Sequence, residues 1–151
     1  MGCDIHFVIE REYDDKWVGV RKCHDYFDAI NNWDDWTPLQ KLGSRSYKFF
    51  GLLARVRHVD LPGSEECRTL PEDISDLAHA EIQAWGEDGH SHSWHSLEEF
   101  VKKYLLSRLN DVEIVEAMKK KFQGENVVHE FFPNIQSKDW SKYRVIFWFD
   151  N

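Results

Sequence analysis

The stretch Tyr143-Arg144-Val145-Ile146-Phe147-Trp148-Phe149 limits what this chain can fold into more than any other, because it is aromatic and β-branched almost throughout. Such residues fit a pleated, packed surface, so the segment predicts a strand, and one that sits centrally in its sheet. The second strong signal lies at the opposite end of the sequence. Ile5 to Tyr13 mixes apolar and charged residues, Asp14-Asp15 interrupts, and Lys16 to Lys22 resumes with Trp17, Val18 and Val20. This is the pattern of a β-hairpin. Strand alternation puts Asp4, His6, Val8 and Glu10 on one face and Ile5, Phe7 and Ile9 on the other. If the first and last strands pair antiparallel, Asp4 and His6 meet Asp150 and Asn151.

Helical patterns fill the middle. Tyr47, Phe50, Leu53, Ala54 and Arg57 mark one face of a helix from Tyr47 to Arg57, and Phe49, Leu52 and Val56 widen its apolar surface. Leu61-Pro62-Gly63-Ser64 and Leu70-Pro71-Glu72-Asp73 are stops, the second preceding a helix from about Ser75 to Ala84. Ser96-Leu97-Glu98-Glu99 is a capping box opening an amphipathic helix that carries Leu97, Phe100, Val101, Tyr104, Leu105 and Leu109. A further helical run from Val112 to Phe122 ends at Gly124, with Lys119, Lys120 and Lys121 at the negative end of its dipole. His24 to Gly43 reads as mostly irregular, and Val127 to Phe132 is short and ambiguous. With 151 residues, 42% of them apolar, the chain is the size of one domain with one core. The expectation is a single α+β domain over residues 1–151: a mainly antiparallel sheet formed from both chain ends, packed with about four helices.

A net charge of -8 argues against broad binding to nucleic acid. Cys3, Cys23 and Cys67 are odd in number and contain no C-x-x-C pair, which gives neither a zinc ribbon nor a disulfide framework and fits a reducing compartment. No apolar run approaches a membrane span, and the first residues lack the pattern of a signal peptide, so a soluble cytoplasmic protein is expected. The sequence is compatible with a homo-oligomer and does not set its order.

Chemistry concentrates in Trp85-Gly86-Glu87-Asp88-Gly89-His90-Ser91-His92-Ser93-Trp94-His95, which reads as a loop with three imidazoles and two carboxylates between aromatic anchors. Gly, Ser and His are also what an ordinary polar surface loop contains. If the segment is locally extended, however, His90 and His92 point the same way. The pair Asp4 and His6 offers an oxygen and a nitrogen on one strand face. Asp4, His6, His90, His92 and Asp150 are therefore candidate ligands for a divalent metal ion, whose bound water would be a nucleophile at neutral pH. Asp88 is a candidate general base. Arg45, near a helix N-terminus, is a candidate phosphate clamp, with Tyr47, Arg68 and Trp94 as further ligand-binding candidates. Arg55 and Arg57, at the end of the same helix, read as surface ion-pair partners.

Asp4-Ile5-His6 resembles the D-x-H motif that begins the calcineurin-like phosphoesterases, where Asp and His bind one ion of a metal pair. In that family the motif follows an apolar strand, whereas here it begins one, and the later motifs of the family are missing. His90-Ser91-His92 resembles the H-x-H of amidohydrolases without their surrounding sequence. Taken together, MGCDIH, RSYKFFGLLARVR, LPEDIS, WGEDGHSHSW and RVIFWFDN resemble a family of small proteins found in tailed-bacteriophage genomes and prophages. That resemblance spans nearly the whole chain and implies a protein acting in an infected bacterial cytoplasm, against a host defence. It brings no activity with it. Three readings follow: a metal-assisted hydrolase of a phosphoester or nucleotide; a non-catalytic protein that sequesters a small nucleotide signal; and an acidic inhibitor of a host defence nuclease, whose charges would come from Asp14-Asp15, Asp34-Asp35, Glu65-Glu66 and Glu98-Glu99.

Overall fold

The computed structural model describes residues 2–23, 42–43, 45–119, 132 and 135–150. Most of the irregular stretch from His24 to Gly43, the lysines at 120 and 121, the end of the helix expected to reach Phe122, and nearly all of Val127 to Phe132 lie outside those residues. Strand β1 (Ile5–Tyr13) turns through Asp14 and Asp15 into β2 (Lys16–Cys23). Helices α1 (Tyr47–Ala54) and α2 (Asp76–Trp85) follow, then a short 3-10 turn (Gly86–Asp88), β3 (Gly89–Ser96), α3 (Leu97–Ser107) and α4 (Asp111–Lys119). A second 3-10 turn (Ser137–Lys142) leads into β4 (Tyr143–Asp150). The strands form one antiparallel sheet in the order β2-β1-β4-β3.

β4 is an inner strand, and Arg144 to Phe149 are all buried. Its alternation divides the core in two. Val145, Phe147 and Phe149, with Ile5, Phe7 and Ile9 of β1, pack against Phe49, Phe50 and Leu53 of α1 and Leu97, Phe100, Val101 and Tyr104 of α3. Ile146 and Trp148, with Val8, form a smaller cluster on the other face against Ala78, Leu77, Ile82 and Trp85 of α2. The sheet is thus α+β with helices on both faces, built from strands at both ends of the chain.

The helix starts follow local chemistry. Ser46, Ser75 and Ser96 cap α1, α2 and α3, each accepting a backbone N–H three residues on. At α3 the box is reciprocal, with Glu99 accepting the Ser96 N–H at 3.0 Å. α1 stops at Ala54, short of the expected Arg57, because Arg55 takes a left-handed conformation (φ 54°) and its N–H closes back on Gly51 and Phe50. Arg57 is also left-handed (φ 65°), so the chain reverses sharply after α1. Gly51 is required there, since a Cβ would strike the His58 carbonyl.

The stretch expected as a histidine loop is the principal correction. Residues 89–96 form β3 and pair with β4 from Gly89↔Asp150 to Ser96↔Arg144. Its Gly, Ser and His content shows no strand pattern. Pairing along the open side of the apolar β4 nonetheless makes it a strand, a case of tertiary context overriding propensity.

Candidate functional site where the chain ends meet

Pairing of β1 with β4 sets Ile5 opposite Phe149 and His6 opposite Trp148, and the ladder continues with Asp150 N–H donating to the Asp4 carbonyl at 3.1 Å. The Asp4 N–H in turn donates to Asp150 Oδ1 at 3.2 Å. Asp150 Oδ2 lies 2.7 Å from His6 Nε2. His6 is fully buried. Trp85, at the end of α2, lies over its ring at 4.1 Å between centroids, and Trp148 is its neighbour in the sheet at 6.1 Å. Asp4 is gripped by Arg45, whose Nε and Nη2 donate to the two carboxylate oxygens at 2.9 and 3.0 Å. Gly2 permits this, because a Cβ on it would overlap the guanidinium.

Asp4, His6, Asp150 and Arg45 therefore assemble as the strand registers require. Tyr47 joins them: its hydroxyl accepts the Cys3 N–H at 3.3 Å, and the residue stays 37% exposed at the start of α1. Arg57 comes from beyond the far end of α1 to place its guanidinium carbon 5.6 Å from the Tyr47 ring centre. Burial pushes the Cys3 thiol above its usual range, partly offset by Arg57 against it. The sequence marked Arg57 as an ordinary surface cation, and nothing local to it signals the reversal that brings it here.

His90 and His92 do not point the same way. Ser91 is left-handed (φ 56°), and the β3–β4 register shifts between His90 and Ser93, so Ser91 and His92 together face Trp148 in a bulge. His90 lies by Phe149, ring centres 6.3 Å apart, on the α1/α3 side; His92 stacks at 6.3 Å beside Trp148 on the α2 side. Burial, and then the neighbouring His90, hold the His92 imidazole below its ordinary pKa. Trp148 thus stands between His6 and His92, and both carboxylates of the expected ligand set already have partners in Arg45 and His6. Among the described residues no group of three or more His, Cys, Asp or Glu side chains is placed to hold a metal ion. Asp4, His6 and Asp150 come together while His90 and His92 lie outside that group, and no chemistry is derived through a metal ion.

The remaining candidates lie apart. Asp88 is exposed on the 3-10 turn just before Gly89. Trp94 pairs with Ile146, four residues back along β4 from Asp150, or about 13 Å at the strand rise. Arg68 reaches Trp94 at 5.5 Å and is held by Glu65 and Glu99. These last residues surround His95, which is fully buried with Glu65 Oε2 3.6 Å from its Nε2.

Fold and site define a single-sheet α+β protein with a polar site built from its first and last strands and an adjoining arginine-bearing helix. No family model matches the chain, and neither a curated protein nor a solved structure is significantly similar to it.

Proposed function

We propose that this is a phage accessory protein, acting against a host defence, that captures a small nucleotide or related phosphate-bearing ligand at the chain-end site and holds it without hydrolysis. One observation carries the reading: half-exposed Tyr47, at the N-terminus of α1, has the Arg57 guanidinium carbon 5.6 Å from its ring centre and its hydroxyl on the Cys3 N–H, next to the Asp4 that Arg45 holds. An aromatic face suits a base, and guanidinium groups at a helix N-terminus suit a phosphate. Arg45 already holds the two oxygens of Asp4 in a fork. An exposed pair of that kind contributes little to stability, so a more highly charged phosphate can replace the carboxylate on Arg45. The resemblance of the sequence to phage proteins supports the setting.

The test is native mass spectrometry of freshly purified protein, with and without chelator, followed by calorimetric titration with ADP. Capture predicts a retained phosphate-bearing mass or saturable ADP binding, with ADP recovered intact. It also predicts that Asp4→Asn tightens binding by freeing Arg45, while Tyr47→Ala and Arg45→Ala weaken it about tenfold or more. A metal-assisted hydrolase gives the opposite pattern, with chelator-sensitive turnover that Asp4→Asn abolishes, and that outcome would overturn the proposal.

A further inference from the structure

A cavity of about 390 Å³ opens at the other end of the sheet, lined by Asp15, Lys16, Trp17 and Gly19 of the hairpin and by Ile74, Asp76 and Leu77 around the start of α2, with Asp73 at its margin. The hairpin residues lining it pair with Glu10 to Tyr13, four to nine residues along β1 from His6 and Asp4, so the cavity is about 13 to 30 Å from them and separate from the chain-end site. From it we infer a second binding site, for a small organic cation: an ammonium or guanidinium on a short apolar body.

The walls are apolar and the rim is acidic. Trp17, Val18, Ile74 and Leu77 supply the walls, while Asp15, Asp73 and Asp76 set three carboxylates against the single ammonium of Lys16. The helix N-terminus beside them contributes about half a positive charge, and it is already answered by Ser75 Oγ, which accepts the Ala78 N–H, and by Asp76 in the first turn. The balance remains negative, which selects a cation. One face of the Trp17 ring is already covered by a guanidinium, since Arg144 lies 4.0 Å over it with its charge met by Glu10 and Asp73, so Asp15 and Asp76 are the carboxylates left for a ligand. The wall is held rigidly. Asp14 and Asp15 are both left-handed (φ 48° and 64°) in a two-residue turn, and Gly19 lets β2 approach Leu77 more closely than any side chain would allow.

The probe is agmatine, titrated into isotopically labelled full-length protein while the Trp17 indole N–H resonance, assigned by its loss in Trp17→Phe, is followed. The inference predicts a saturable shift with a Kd below about 1 mM at physiological salt. Asp15→Asn and Asp76→Asn should each weaken binding roughly fivefold, and Lys16→Gln should strengthen it by a similar factor, a gain that loss of structure cannot mimic. The inference is overturned by a shift that does not saturate, by an equal response to glutarate, by affinity indifferent to these substitutions, or by a lysine-containing peptide binding more tightly than the free amine. None of these outcomes depends on ADP, so the two sites stand or fall separately.

Discussion

Glu10 and Arg144 face each other across β1 and β4, Oε1 to Nε 2.5 Å, with both residues buried. The other Glu10 oxygen accepts the N–H of Ser75 at 2.5 Å, just before α2, and Arg144 reaches on to Asp73 through its side chain and carbonyl. One ion pair thereby fastens the first strand, the last strand and a helix start. Removing Arg144 leaves the buried Glu10 carboxylate without its counterion, which costs about 3 to 5 kcal/mol, whereas removing Glu10 leaves Arg144 paired with Asp73. Arg144→Ala should lower unfolding free energy by that amount in urea and Glu10→Ala by less, and the double variant should lose much less than the sum.

The aromatic helix gives a second expectation. Phe50 and Leu53 are fully buried between α3 and the sheet. Either one changed to Ala should cost about 2 to 5 kcal/mol, read from the denaturation midpoint at constant slope. A loss below roughly 1 kcal/mol at both would mean that this face does not pack in the core.

Stability should fall on mild acidification, and His95 is the reason. Burial first, then Arg68, push its imidazole down to about 4, with Lys103 acting the same way and Glu65 and Glu99 opposing. In the unfolded chain a histidine titrates near its reference pKa of about 6.5. Between about 6.5 and 4 the unfolded state therefore takes up a proton that the folded state refuses. The contribution is fully present above that window and is lost through it, by on the order of 3 kcal/mol. Denaturation at a series of pH values should show this slope, and His95→Phe should flatten it. Burial works against ionisation of Glu99, yet its hydrogen bond from Arg68 holds it at about 2, so a further loss should set in near the ordinary carboxylate pKa of about 4.3 and run down to about 2.

Shortening the chain tests the sheet directly. Deleting residues 144–151 removes the partner of both β1 and β3. The truncated protein should lose its cooperative thermal transition, as followed by near-ultraviolet circular dichroism.

What could be read from the sequence was whatever a few neighbouring residues decide. The β-rich run at Tyr143–Phe149, the hairpin at Asp14-Asp15 and the capping box at Ser96 each carry their own signal, and with antiparallel pairing they place Asp4 and His6 beside Asp150. The rest depended on contacts between distant parts. Gly89–Ser96 has no alternation and becomes a strand only because β4 has an open side. The left-handed Ser91 sends His90 and His92 to different faces, and no residue type there announces a bulge. Arg57 reaches Tyr47 only because Arg55 and Arg57 reverse the chain, a turn that two arginines do not advertise.

The place of β4 between β1 and β3 bears on how the protein is made. Its neighbours on both sides precede it in the chain, β1 by well over a hundred residues, so the strand that joins them leaves the ribosome after both. Until then β1 and β3 each carry an unsatisfied edge, and no cooperative sheet can close during synthesis. Contacts of such sequence separation also close slowly. Nascent chains stalled before Tyr143 should therefore be protease-sensitive and in need of chaperone protection, with protection arriving in a single step once β4 is free to insert.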